Sequence, residues 1–162
     1  MGLADFHHNT RVFIGTQKVF VLQGSAAYGL ALTDDVNRFI DLSRHTCLRT
    51  IHFTEYLGAG TSSTNVSWIS VILSQVAASY IEELVFRIII PNPLLSSVEL
   101  FDWNALAKVL VQTSFPKLWT IRFSIETQDP YATLVDRPDQ SKVMDLIGRK
   151  LPTWAALGVL SV

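Results

Sequence analysis

The chain is expected to fold as an α/β protein built from repeating strand–helix units around one parallel sheet. Two observations carry this expectation. The pattern Leu/Ile-x-x-Leu/Ile-x-apolar occurs four times, beginning at Leu48, Ile81, Leu118 and Leu157. Its copies start 33, 37 and 39 residues apart, and the segments between them carry apolar residues at helical spacing. Strands that alternate with helices of this length are joined by crossovers and therefore run parallel. The length agrees: 162 residues of which 49% are hydrophobic and 17% charged suit one domain with a single core.

The elements follow in chain order. Residues 1–32 are read as an irregular N-terminal part, with the repeats occupying 33–162 of a single domain. Only a weaker copy, Val19-x-x-Leu22-x-Gly24, lies in that first part, 29 residues before the first full one. Gly24-Ser25-Ala26-Ala27-Tyr28-Gly29 lacks the Lys and the spacing of a phosphate loop and reads as a turn. Thr33 can cap a first helix, with Asp34 and Asp35 complementing its dipole and Val36, Phe39 and Ile40 on one face. The first strand is Leu48-x-x-Ile51-x-Phe53. A second helix is expected over about 65–80 from Ile69, Leu73, Val76 and Tyr80. The strand Ile81-x-x-Leu84-x-Phe86 comes next. Asp102 can cap a third helix with Leu106, Val109 and Leu110 inward. The third strand is Leu118-x-x-Ile121-x-Phe123. Asp136 or Asp139 can open the fourth helix, with Pro138 near its first turn, Val143, Leu146 and Ile147 inward and Pro152 as the stop. Leu157-x-x-Leu160-x-Val162 is the last strand.

Two architectures accommodate this order: an open solenoid with strands on its concave face, and a doubly wound sheet with helices on both faces. The fixed asymmetry of the pattern favours the solenoid. Positions one, four and six go to the core, and a strand buried on both faces has no need of that asymmetry.

The stretches Leu48-Arg49-Thr50-Ile51-His52-Phe53, Ile81-Glu82-Glu83-Leu84-Val85-Phe86 and Ser114 to Phe123 resemble the leucine-rich-repeat-like region of fungal F-box-type proteins, over about residues 33–162. The resemblance implies a short leucine-rich-repeat-like solenoid that binds a protein, and through an F-box a role as the substrate-recognition part of a ubiquitin-ligase adaptor. The chain departs from that family in three ways. No Asn follows Phe53, Phe86 or Phe123 within three residues, the repeats are longer than the common 20 to 29, and no F-box is found, since all six prolines lie at or after Pro91.

Chemistry is sparse. Cys47 is the one cysteine, so no internal disulfide forms and a reducing, intracellular setting, cytoplasmic or nuclear, is expected. No apolar run reaches the roughly 20 residues of a membrane span, and a net charge of -1 lacks the basic surplus of a nucleic-acid binder. His7-His8 stand without further ligands, so no metal site and no cofactor is expected. Cys47 beside His45 and His52 reads as a small buried residue. Glu82-Glu83 are strand neighbours and point to opposite faces. No catalytic residues are assigned.

The outward strand positions are more informative. Positions three and five of each copy face away from the core: Thr50 and His52, Glu83 and Val85, Thr120 and Arg122, Val159 and Ser161. Arg87 and Ser124 extend these rows. Strands about 4.8 Å apart bring His52, Val85 and Arg122 into one lateral row and Thr50, Glu83 and Thr120 into the next. With Trp119, at a second position that need not be buried, Thr50, His52, Glu83, Val85, Arg87, Thr120 and Arg122 form the predicted partner-binding surface. Trp68 and Trp103 are assigned to core packing. The last strand leaves a parallel edge that can pair with another, so edge-to-edge self-association is a further expectation. The competing readings are a small α/β enzyme with a pocket at the strand C-terminal ends, drawing on Thr54, Glu55, Glu126 and Asp129, and a fragment of a longer protein without a function of its own.

Overall fold

The computed structural model describes residues 2–6, 10–14, 19–25, 48–57, 67–76, 80–90, 94–113, 115–127 and 139–162. Seven strands form one open sheet in the order β1-β2-β3-β4-β5-β6-β7. They are β1 (Gly2–Phe6), β2 (Thr10–Ile14), β3 (Val19–Ser25), β4 (Thr50–Tyr56), β5 (Glu83–Ile90), β6 (Thr120–Thr127) and β7 (Leu160–Ser161). The first three are antiparallel neighbours, and from β3 onward every pairing is parallel. The helices are α1 (Ser67–Gln75), α2 (Leu95–Val98), α3 (Trp103–Thr113), α4 (Gln140–Lys150) and α5 (Pro152–Ala156). The chain is thus an α/β protein.

The repeat pattern sets the register. Ile51, Leu84, Ile121 and Leu160 stand side by side on four adjacent strands. Phe53, Phe86 and Phe123 form the next row. Their rings stack, with centroids 5.2 and 5.1 Å apart and planes within 16°. Position six therefore builds an aromatic ladder through the core, closed by Phe101 edge-on to Phe86 and by Trp103 against Phe123. Trp103 is buried and its indole N–H donates to the Val98 carbonyl at 3.0 Å, which meets the requirement of a buried indole for a partner.

The helices cover one face of the sheet. Ile69, Ile72, Leu73 and Val76 from α1 and just beyond it, Leu106, Val109 and Leu110 from α3, and Val143, Leu146 and Ile147 from α4 join one apolar cluster with the strand residues. α1 packs on α3, and α3 on α4. Asp102 caps α3 by accepting from the Ala105 amide at 3.0 Å. Asp139 caps α4 by accepting from the Ser141 amide at 2.9 Å. The Ser141 side chain, and next its amide, hydrogen-bond to the Asp139 carboxyl and hold it below its ordinary value of 3.8. The charged form is therefore the one the fold favours. Its contribution is present above pH 3.8 and fades as pH falls through the lowered value. Asp102→Ala is expected to cost about 1 kcal/mol, read as a lower urea midpoint at unchanged slope.

Several sequence expectations are corrected. Residues 1–32 are not irregular throughout, because three strands lie within them and extend the same sheet. A parallel-repeat pattern carries no trace of an antiparallel hairpin, so β1 and β2 escaped it. Gly24 and Ser25, read as the start of a turn, close β3 instead. The weak copy is shifted by two residues: Leu22 stands opposite Phe53, not Ile51. The second helix ends earlier than expected, at Gln75. The fourth helix does stop just before Pro152, at Lys150, but Pro152 also opens a further short helix, α5, at whose first turn its missing N–H costs nothing. In the fourth copy only Leu160 is buried, while Leu157 and Val162 are exposed, because β7 has one neighbour and no further unit among the described residues to bury its edges. His7, His8, Thr33 to Ile40, His45, Cys47, Asn65, Asp129, Asp136 and Pro138 lie outside the described residues, as does the side chain of Trp68.

Candidate functional site

Opposite the helices the sheet presents a half-exposed face. Burial alternates along the strands: Ile51 and Phe53, Leu84 and Phe86, Ile121 and Phe123 are buried, while Thr50 and His52, Glu83 and Val85, Thr120 and Arg122 are half-buried or exposed. Period-two alternation of this kind is the signature of a sheet with one covered face. A doubly wound sheet would bury both. Toward the strand C-terminal ends two positions of this face, Thr54 and Ile89, are buried, while Arg87 and Glu126 at the same levels remain exposed to solvent.

The structure brings the predicted surface residues together in rows. His52, Val85, Arg122 and Ser161 are lateral neighbours, and so are Thr50, Glu83 and Thr120. Thr54, Arg87 and Ser124 form a third row. Ion pairs run diagonally between these rows. Arg122 Nη2 lies 3.2 Å from Glu83 Oε1. Arg87 grips Glu126 with both arms, Nε to Oε1 at 2.8 Å and Nη2 to Oε2 at 2.5 Å, and Ser124 Oγ approaches the same Oε1 at 3.4 Å. This fork geometry is the strongest form of such a pair, and the hydrogen bond with Glu126 raises the Arg87 guanidinium further above its ordinary value. Exposed pairs contribute about 0–1 kcal/mol each; their clearer effect is to hold two flexible arginines flat on the sheet.

His52 sits among these charges. Burial lowers its pKa below 6.5; Glu83 pulls it up and Arg122 pushes it down. The fold therefore favours the neutral imidazole. That contribution is complete above pH 6.5 and is lost as pH falls through the lowered value. Melting temperature is expected to drop more between pH 7.5 and pH 5 in the parent chain than in His52→Gln.

Trp119, the eighth predicted residue, is 62% exposed. It lies at the strand N-terminal side, its amide donating to the Glu82 carbonyl, near a cluster that sequence reasoning missed. The Tyr80 ring faces the Arg49 guanidinium at 5.6 Å and the Lys117 ammonium at 5.4 Å, and Arg49 also reaches Glu82 at 3.4 Å. The pairing of Glu126 with Arg87 was missed as well. Its signal is the parity Glu126 shares with Arg122 and Ser124, which fixes it on the open face. Glu82 and Glu83 turn to different partners, as strand neighbours should.

Of the residues named for an enzyme, Glu55 and Glu126 do not come together. Glu55 is buried on the helix-covered side, level with Ile88 and Ile125, whereas Glu126 lies on the open side, level with Ile89. The two carboxyls are on opposite faces of the sheet. Among the described residues no three His, Cys, Asp or Glu side chains group to hold a metal ion, and no helix is long and apolar enough to cross a membrane. No family model, no curated protein and no solved structure matches the chain.

Proposed function

We propose that this protein is a non-enzymatic interaction domain, a short leucine-rich-repeat-like solenoid that binds a protein through the open face of its sheet. The observation that carries this reading is the row of His52, Val85 and Arg122 flanked by Thr50, Glu83 and Thr120. It is an ordered, half-exposed surface mixing both charges with a central apolar residue, opposite a fully packed core. Strand order supports the solenoid: successive strands are spatial neighbours from β3 to β7, and the described helices pack on the core face of the sheet, as in stacked repeats. Arg and Trp are the side chains most often found at the energetic centre of interfaces; Arg122 lies on the open face and the exposed Trp119 at the N-terminal margin of the sheet. Substrate recognition within a ubiquitin-ligase adaptor is the specific role that the family resemblance implies. The setting proposed for it is intracellular.

Affinity capture from native lysate, with retained proteins identified by mass spectrometry, tests both levels. Recovery of a ligase scaffold supports the adaptor role. Recovery of other specific proteins supports a free-standing module. Folded protein that retains nothing contradicts the interaction reading.

A further inference from the structure

The edge of the sheet next to β7 has a step in it. β5 pairs with β6 along its whole length, Thr120 to Thr127, but β7 meets only Ile121 and Arg122. Among the described residues no strand flanks Phe123–Thr127 on that side. The direction of the peptide groups follows from one hydrogen bond. The Ile121 amide donates to the Val159 carbonyl at 2.8 Å, so residue 121 points its backbone toward the β7 side. Successive residues alternate, and Phe123, Ile125 and Thr127 therefore send their N–H and C=O groups out past the end of β7. Two of the usual protections of an edge are missing from its sequence: Phe123–Thr127 contains no Lys and no Pro. Its single charge, Glu126, is turned sideways into Arg87.

We propose that two copies of this chain join antiparallel along this stretch, with a two-fold axis at Ile125. A closed dimer from one edge is two-fold, and a two-fold axis makes the paired strands antiparallel. Centred on Ile125, the register is self-complementary. Ile125 meets Ile125 of the second copy on the helix side, where it packs partly buried against the core, and Phe123 meets Thr127. On the open side Ser124 meets Glu126, a hydroxyl donor opposite a carboxylate. A slip of one residue would carry the apolar set to the wrong face. Centring on Phe123 instead would require Ile121, which β7 already occupies. This edge is separate from Glu83, Arg122 and Trp119, so the dimer does not depend on the reading of the open face. A contact this short belongs to the small, transient class of interface, and the dimer should form at high micromolar concentration.

Sedimentation equilibrium of the full chain over a concentration series tests the proposal, with apparent mass rising from 18.1 kDa toward twice that value. Ser124→Glu faces Glu126 of the second copy with a like charge in both symmetry-related pairs and should weaken the dimer about tenfold. Ser124→Lys should tighten it several-fold. Within one chain the order is the reverse, because residue 124 is level with Arg87: the Glu variant should melt no lower than the Lys variant in dilute solution. Loss of association therefore cannot be mistaken for unfolding. Ile125→Pro, which removes an outward amide, should leave a monomer. A single-chain mass at every concentration overturns the proposal, and so does equal association of Ser124→Glu and Ser124→Lys.

Discussion

Replacing Phe86 with alanine is expected to destabilise the protein by about 3–5 kcal/mol, the range for deleting a buried ring. Phe86 is 1% exposed and occupies the middle of the aromatic ladder, between Phe53 and Phe123 and against Phe101. Its removal loses the ring's own burial, both stacking contacts and the edge-on contact, and leaves a cavity between two strands and a helix layer. Neighbouring rows are fixed by the sheet register and cannot close over it. Thermal and urea denaturation should both report the loss, with a melting temperature lower by roughly 10 °C or more. Phe86→Leu keeps most of the volume and should cost distinctly less. Arg87→Ala, one residue on and exposed, should cost about 1 kcal/mol or less. Equal effects at Phe86 and Arg87 would contradict the one-sided core.

Reversing the charges at Glu83 and Arg122 is expected to separate binding from stability. Arg122→Glu alone leaves two carboxylates facing each other and should weaken partner binding by about ten- to a hundredfold, the scale of an interface hot spot. Glu83→Arg alone should do the same. The double variant Glu83→Arg/Arg122→Glu restores the ion pair within the chain, so its stability should return to within about 1 kcal/mol of the parent. Binding should stay lost, because the partner now meets the opposite order of charges. Recovery of binding in the double variant would show that the pair matters only for the fold. Isothermal titration with a captured partner, alongside thermal melts, measures both quantities.

The part of the fold that the sequence made legible is the part governed by one-sided burial. Leu84 and Phe86 can be placed on the core face from spacing alone, because a period-two strand with a single covered face leaves them no other side. Once neighbouring copies are matched, the level of Ile51 with Leu84, Ile121 and Leu160 follows. The cap Asp102 was equally readable, and Asp139 as one of two candidates with Asp136, since a short acceptor before an apolar-periodic segment has a local reason to be there. The hairpin of β1 and β2 was not, because its pairing is antiparallel and shares nothing with the repeat. The two-residue shift of β3 was hidden because Val19, Leu22 and Gly24 satisfy the pattern in a neighbouring frame of the same parity. The rows of the open face were legible, but the diagonal reach of Arg87 to Glu126 was not. Register fixes backbone levels, and a long side chain chooses its partner across levels. Leu157 failed for the opposite reason: a pattern position is buried only if a neighbouring unit lies over it.

The face used for recognition can be read directly by hydroxyl-radical footprinting of the chain alone and in its captured complex. If the open sheet face is the interaction surface, complex formation should protect His52, Val85 and Arg122. Val111 and Leu94, which are exposed on the helical side, should react as they do in the chain alone. Protection of Val111 and Leu94 with His52, Val85 and Arg122 unchanged would place the interface on the helices and contradict the proposed function.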